Sequence, residues 1–178
     1  MDITKEIAKA VYTNDIPKGF NIDESLSNRR EKVYKKDNDV YLAFRGTMLN
    51  TKDAIRDLGT DTLVGLGLEP LGSRFKKGLR TANKVKEKYS DNNIQLVGHS
   101  LGGNIANYVS SKTGLKGNAF NSGFGLSSVN PSSYYKKSKV KNIVPIDDII
   151  SSPNLLSKAI GLNRAKFLLN TKATGHSI

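Results

Sequence analysis

The sequence predicts an α/β protein with a mostly parallel central sheet and helices on both of its faces. Short apolar segments typical of strands alternate with helical patterns along the chain, which is the arrangement of α/β sheets. One of these strands runs directly into a glycine-rich turn and then a helix. No internal repeat or linker divides the 178 residues. The prediction is therefore a single domain over residues 1–178, long enough to bury a sizeable core.

The individual elements follow from local patterns in chain order. Apolar residues at helical spacing predict an amphipathic helix over residues 3–12, and residues 17–28 are expected to form an irregular connection. Further helices are predicted over residues 53–58, 75–89, 100–112 and 154–160. Strands are predicted at residues 32–34, 40–44, 94–97, 117–121, 140–146 and 165–169.

Composition excludes several kinds of site. The chain has no cysteine, so we expect neither disulfides nor thiolate metal sites, and its two histidines, His99 and His176, match no zinc spacing. We expect no metal or organic cofactor. No apolar run approaches the roughly 20 residues of a membrane span, and the charged N-terminus does not fit a signal peptide. The expectation is a cytoplasmic or virion-associated protein, with a mature secreted chain as the alternative.

The formal net charge of +12 indicates acidic partners, either an anionic phospholipid surface or a nucleic acid. Basic residues concentrate at residues 29–36, 76–88 and 136–141. The alternative, favoured from the sequence alone, is that these segments form solvated faces of helices and hairpins. No aromatic residues interleave with them as in RNA-recognition motifs. Nucleic-acid binding therefore ranks below binding to an anionic membrane surface.

The most informative segment is Gly98-His99-Ser100-Leu101-Gly102, which follows an apolar strand and opens a helix. A G-x-S-x-G sequence in this context is typical of a nucleophile elbow, where the serine occupies a sharp, strained turn. The two glycines would remove side chains that clash with strand and helix, and the helix N-terminus would lie beside a forming oxyanion. We predict that Ser100 is a nucleophile. A glycine-rich turn with a chance serine is the alternative.

A serine nucleophile needs a base. His99 lies within the elbow, so its side chain is expected to point away from the Ser100 hydroxyl, which leaves His176 as the candidate base. The acidic residues between the serine and this histidine are Asp147 and Asp148, which follow a predicted strand. One of the two should orient the imidazole, in the order serine, acid, histidine. The alternatives are a frayed terminal histidine and two solvated carboxylates.

A tetrahedral oxyanion needs at least two donors. One candidate is the backbone N–H of Leu101, the residue after the nucleophile. The other comes from the loop at Gly46 and Thr47, which ends an earlier strand. Gly46 allows close approach of the backbone, and Thr47 offers both an amide and a hydroxyl. An ordinary strand-ending turn is the alternative interpretation of this loop.

These segments, in this order, resemble the class 3 lipase family, the fungal-lipase-like branch of the α/β-hydrolases. The resemblance extends from residue 41 to the C-terminus and depends on residues 41–47, 53–58, 72–79, 96–103, 146–150 and 175–177. It implies a compact α/β-hydrolase fold. The site residues that it implies are a catalytic triad of Ser100, Asp148 and His176, and an oxyanion hole from Thr47 and Leu101.

The chain departs from this family pattern after Thr47, where the usual lid is reduced to residues 48–52. For residues 63–71 the sequence leaves three interpretations open: a replacement apolar rim, a mobile cover, or a buried strand and turn. The resemblance implies a serine hydrolase of lipid or phospholipid acyl esters that works through an acyl-enzyme intermediate. Two other functions stay open: a non-catalytic hydrolase-fold binding or virion structural module, and a basic nucleic-acid-binding protein.

Overall fold

The computed structural model describes residues 2–13, 15–46, 71–122, 136–145 and 167–170 of the chain. Within these ranges seven strands form one sheet, in which neighbours in sequence are neighbours in space. The strands are β1 (Asn21–Ile22), β2 (Glu31–Lys36), β3 (Asp39–Phe44), β4 (Asn93–His99), β5 (Lys116–Phe120), β6 (Lys139–Pro145) and β7 (Phe167–Asn170). The first two pairs are antiparallel, and every pair from β3 to β7 is parallel. The predicted mostly parallel sheet is confirmed.

Helices cover both faces of this sheet. The described ranges contain α1 (Ile3–Ala10), α2 (Leu71–Lys88) and α3 (Leu101–Thr113). Because successive side chains of a strand point to opposite faces, β3 contributes to two cores. Leu42 and Phe44 pack in the core that includes α2 and α3, whereas Tyr41 and Ala43 pack in the core that includes α1. All four side chains are buried, as expected for a parallel sheet covered on both sides.

Capping residues set the ends of two helices. The Asp2 carboxylate accepts a hydrogen bond from the Thr4 N–H at 3.0 Å and so caps α1. Gly114 caps the C-terminus of α3; it adopts a left-handed φ of 75° and donates its N–H to the Ser110 carbonyl. Among the described helices, none has the length and hydropathy needed to cross a bilayer.

Most predicted elements recur with shifts of a few residues, but two differ more. The prediction of an irregular connection over residues 17–28 is wrong at Asn21 and Ile22, which pair with β2 and form β1. Tertiary pairing, and not local propensity, creates this two-residue strand. Helix α2 begins at Leu71, earlier than the predicted start at residue 75. The helices predicted over residues 53–58 and 154–160 lie outside the described residues.

Candidate active site

Ser100 occupies a strained turn between β4 and α3. Its φ of 54° and ψ of −125° place a non-glycine residue in the left-handed half of conformational space. Backbone hydrogen bonds hold it there, because its N–H donates to the Phe120 carbonyl at 3.0 Å and its carbonyl accepts from the Gly103 N–H at 2.9 Å. Strain of this kind persists only where the surrounding structure imposes it. The predicted strand–turn–helix context of the serine is therefore present.

Both glycines of the elbow are required by backbone packing. A Cβ atom on Gly98 would overlap the backbone of Gly102, and a Cβ atom on Gly102 would overlap the Phe44 carbonyl. Contacts this close leave no room for any side chain. The sequence-based reason for the two glycines is confirmed. The close approach also brings α3 against the end of β3.

Helix α3 directs its N-terminus toward the serine. The helix begins at Leu101, immediately after Ser100. The first amides of a helix have no acceptor within the helix and carry the positive end of its dipole. The Leu101 N–H is one of these amides. The Leu101 residue is buried, with 2% of its surface exposed. The backbone thus provides a fixed positive partial charge next to Ser100, which is itself 7% exposed.

The loop after β3 lies against the elbow. Phe44 pairs with Gly98 in the parallel β3–β4 ladder. Two residues later, a Cβ atom on Gly46 would lie 2.8 Å from the His99 carbonyl and 3.2 Å from the Ser100 Cβ. The structure therefore brings the predicted oxyanion loop as far as Gly46 to the predicted nucleophile. Thr47, the next residue, lies outside the described residues.

Tyr12, which the sequence analysis did not single out, joins this loop to the elbow. Its hydroxyl accepts the Gly46 N–H at 2.9 Å and lies 2.9 Å from the His99 Nδ1. Burial raises the pKa of Tyr12 above its ordinary value, although the Gly46 N–H acts in the opposite direction. The phenol thus keeps its proton at neutral pH and can donate it to Nδ1. The His99 ring therefore has its hydrogen-bond partner on the α1 side. This agrees with the prediction that the ring points away from Ser100.

Two arginines fix the same loop from its other side. Arg74 of α2 donates from Nη2 to the Arg45 carbonyl at 2.6 Å. The Arg45 N–H donates to the Arg30 carbonyl, and its guanidinium lies 5.5 Å from the centroid of the Tyr12 ring. The backbone at residues 45–46 is therefore held by Tyr12 after α1, by Arg74 of α2 and by Arg30, which directly precedes β2. A donor placed on this segment has a defined position relative to Ser100.

A buried amide network ties the elbow helix to β6. Asn107 of α3 donates from Nδ2 to the Asn142 Oδ1 at 2.7 Å and to the Gly103 carbonyl at 2.9 Å. Ser122 donates to the same Asn142 oxygen at 3.0 Å. Both asparagines are at most 1% exposed, where an unmade hydrogen bond is costly. The network fixes β6, the strand that precedes the two candidate carboxylates, relative to the elbow.

Three further predicted site residues, Asp147, Asp148 and His176, lie outside the described residues. Of the segment at residues 63–71, predicted as a rim, a cover or a buried strand and turn, residues 63–70 also lie outside them, and Leu71 is the first residue of α2. The structure brings together Ser100, Leu101 and the loop through Gly46. A tyrosine at the end of an amphipathic helix gives no sequence signal for its contact with this loop.

The chain is similar to a phospholipase-like family and to solved lipase structures. Residues 6–142 match the family described as phospholipase-like, the Tle-like phospholipase domain. A triacylglycerol lipase from Penicillium expansum superposes with a TM-score of 0.54 at 17% identity, covering 86% of this chain and 72% of the lipase. A lipase from Rhizopus microsporus var. chinensis gives a TM-score of 0.52 at 18% identity, covering 83% of this chain and 65% of the lipase. Curated protein sequences give no match.

At these identities the two lipases establish the fold, and they confirm the predicted α/β-hydrolase architecture. The family match covers most of the chain, from within α1 through the elbow to the first part of β6. Both findings bear out the class 3 lipase-like resemblance of the sequence. The chain belongs to the Tle-like phospholipase domain family.

Proposed function

We propose that this protein hydrolyses acyl esters of lipids, with phospholipids as the substrate class, and that Ser100 is its nucleophile. The observation that carries the proposal is the backbone of Ser100, a non-glycine residue held at a φ of 54° where α3 begins. Strained residues of this kind cluster at active sites. The phospholipase-like family and the lipase fold favour a lipid ester as the bond attacked.

In the proposed first step, the Ser100 hydroxyl attacks the acyl carbonyl. A serine hydroxyl is a weak nucleophile at neutral pH and needs a base. His176 takes its proton and later gives it to the leaving alcohol, while Asp148 holds the imidazole in the required tautomer. These two roles derive from the resemblance of their segments to class 3 lipases.

The negative charge of the tetrahedral intermediate requires donors that are in place before the reaction. The Leu101 N–H at the start of α3 supplies one donor in this proposal, and Thr47 supplies the second. The position of Gly46 against the Ser100 Cβ supports the second assignment, because Thr47 follows directly in the chain. Water then attacks the acyl-enzyme and gives a proton to His176, the fatty acid leaves, and Ser100 regains a proton from His176.

A non-catalytic hydrolase-fold module is the competing function. It would keep the fold and the phospholipase-like pattern without a reactive serine. A basic nucleic-acid-binding protein is a further alternative, suggested by the net charge of +12. Nucleic-acid binding gives no reason for the strain at Ser100, whereas an elbow that presents a nucleophile does. A non-catalytic module would keep the strained turn but would not require a serine in it. Membrane association at an anionic surface is compatible with the proposed enzyme and extends it.

The test is fatty-acid release from phospholipid vesicles, run beside p-nitrophenyl esters of increasing chain length. We expect turnover by the natural chain and its loss in Ser100→Ala and in His176→Ala, with folding unchanged by circular dichroism. Asp148→Asn should lower turnover by about 10⁴ if the tautomer is lost. Asp147→Asn is the matched control and should cost far less. Turnover retained in Ser100→Ala, or no turnover by any chain, would contradict the proposal.

A further inference from the structure

A strongly basic cleft separates the start of β2 from helix α2. Its volume is about 480 Å³, within the range of roughly 300–1,000 Å³ that is typical of small-molecule sites. Six cationic side chains and one carboxylate line it, together with one asparagine and one threonine. The lining residues are Asn28, Arg29, Arg30, Glu31, Arg74, Lys77, Arg80, Thr81 and Lys84.

The cations come from two separate parts of the chain. Arg29 and Arg30 precede β2, and the others project from one face of α2 at helical spacing. Arg29, Lys77, Arg80 and Lys84 are exposed, whereas Arg74 is buried at the inner end. Like charges gathered around one concavity repel each other and create a positive electrostatic potential there, which attracts anions. Four of the six cations are arginines, whose guanidinium groups match phosphate oxygens in bidentate geometry.

The one carboxylate in the cleft has a structural task. Glu31 is 7% exposed, and its Oε2 accepts hydrogen bonds from the Thr81 hydroxyl at 2.5 Å and the Asn28 amide at 3.2 Å. It therefore fastens the β2 wall of the cleft to the α2 wall. With this oxygen engaged from both walls, the rim remains dominated by cations. The cleft is a fixed feature of the fold, since both walls belong to regular elements or to a turn bonded to them.

The inner end of the cleft adjoins the loop beside Ser100. Arg74 lines the cleft and also donates to the Arg45 carbonyl at 2.6 Å. Gly46, the next residue, lies against the Ser100 Cβ. An anion held by Arg74 and its neighbours would thus sit next to the segment that leads into the proposed oxyanion hole.

We infer that this cleft binds a phosphate-bearing anion, and that it holds the headgroup phosphate of a phospholipid while the ester is presented to Ser100. The binding itself follows from the cleft alone, and its use in orienting the substrate rests on the proposed function. The shared chemistry is the phosphate group, from a membrane lipid or from a soluble phosphate ester. Salt weakens such binding, because most of the cations are exposed.

The experiment compares two double variants on the same helix with the same loss of charge. Lys77→Gln with Lys84→Gln removes two cations of the cleft, whereas Lys76→Gln with Lys86→Gln removes two exposed lysines that do not line it. Each pair is introduced into the Ser100→Ala chain, so that vesicles are not consumed. Co-sedimentation is measured with phosphatidylcholine vesicles that contain phosphatidic acid, and with vesicles of equal surface charge that contain oleate instead.

We expect the cleft variant to bind phosphatidic acid vesicles at least about tenfold more weakly, since each lysine near an anionic surface contributes roughly a fivefold factor in affinity. The control variant should lose less than about threefold, and the oleate vesicles should bind more weakly than the phosphatidic acid vesicles. Binding of free glycerol 3-phosphate by calorimetry, lost in the cleft variant, would identify a soluble phosphate ester as a second source of the ligand. Weaker vesicle binding by the cleft variant and its loss of glycerol 3-phosphate binding each support phosphate binding in the cleft.

Equal losses in the two double variants would overturn the inference, because they would show diffuse charge attraction. So would tighter binding of single-stranded RNA than of either phosphate probe. The proposed function is tested separately. Hydrolysis by the natural chain without any difference between the double variants contradicts the cleft alone, whereas cleft-dependent binding without hydrolysis contradicts the enzyme alone.

Discussion

Replacement of Tyr12 by phenylalanine tests whether the turn that follows α1 positions the loop beside the elbow. The substitution removes one hydroxyl and retains the ring, which meets the His99 ring edge to face with centroids 5.7 Å apart. Two hydrogen bonds disappear: the one from the Gly46 N–H at 2.9 Å and the one with the His99 Nδ1 at 2.9 Å. Everything else in this part of the core keeps its shape.

The expected loss of stability follows from the two polar groups that lose their hydrogen bond to the Tyr12 hydroxyl. A buried donor or acceptor that loses its partner costs about 1–3 kcal/mol. Gly46 is buried, but Tyr12 is only partly buried, so water can satisfy one of the two orphaned groups. We therefore expect a loss of about 2 kcal/mol in the free energy of unfolding. For a chain of this length that corresponds to a fall of about 4–8 °C in Tm.

The catalytic effect should appear mainly in kcat. A loop that loses its bond at Gly46 shifts relative to Ser100, and displacements of about 1 Å at a catalytic group cost up to about a hundredfold in rate. We expect a fall of about ten- to a hundredfold in kcat on a soluble ester, with KM nearly unchanged. This split separates a positioning role for Tyr12 from a substrate-binding one.

Tyr34→Phe is the matched control. Tyr34 is fully buried, and among the described residues its hydroxyl has no hydrogen-bond partner. Burial raises its pKa to about 12, as expected for a phenol in an apolar environment. Removing this hydroxyl should leave stability unchanged or raise it slightly. Urea unfolding measures the stability of both variants, and initial-rate kinetics measure their kcat. Equal stability and equal kcat in the two variants would refute the positioning role of Tyr12.

Three further substitutions have predicted effects on stability. Gly102→Ala would press a Cβ atom onto the Phe44 carbonyl, so it should cost at least about 2 kcal/mol and most of the ester turnover. Gly72→Ala, with no atom within 4 Å of its added Cβ, should stabilise α2 by about 0.5–1 kcal/mol. If urea denaturation shows Gly102→Ala to be more stable than Gly72→Ala, the packing described at the elbow is contradicted. Burial acts to raise the pKa of Asp23, but hydrogen bonds from Lys88, Ser25 and Tyr89 hold it well below its ordinary value of 3.8. A lowered folded-state pKa gives stability that is present above the unfolded value and is lost as pH falls. Asp23→Asn should therefore lose less stability than the natural chain as the pH falls below about 4. An equal fall of Tm with pH in both chains would contradict this.

Local sequence patterns predicted the sheet and the elbow because their causes are local. Strands β3 and β4 contain short, mainly apolar segments, and β4 runs directly into the turn and helix of the elbow. The elbow depends on neighbouring residues, since Gly98 and Gly102 clear space for the turn at Ser100. Such constraints act within a few residues and are therefore visible in sequence.

Contacts between distant segments were not predictable in the same way. Tyr12 lies 34 residues from Gly46 and 87 residues from His99, and no periodicity identifies which tyrosine makes these bonds. Asn107 and Asn142 are likewise 35 residues apart. Polar residues of this kind are ordinarily exposed, so their pairing in the core becomes visible only once helix and strand are packed.

The basic segments illustrate a third case. The sequence showed clusters at residues 29–36 and 76–88 and favoured solvated faces for both. Folding places Arg29 and Arg30 opposite the cationic face of α2, which turns two surface segments into the walls of one cleft. Charge patterning gives the number of cations but not their convergence, because convergence depends on the packing of α2 against β2 and β3.

The central claim is that Ser100 is an activated nucleophile. The most direct measurement is labelling by a fluorophosphonate probe, which forms a covalent bond with such serines, followed by mass spectrometry of the peptides. We predict one probe per chain, located at Ser100, and no labelling after denaturation. A natural chain that leaves Ser100 unmodified while it hydrolyses phospholipid, or that carries the probe on another residue, would contradict the account.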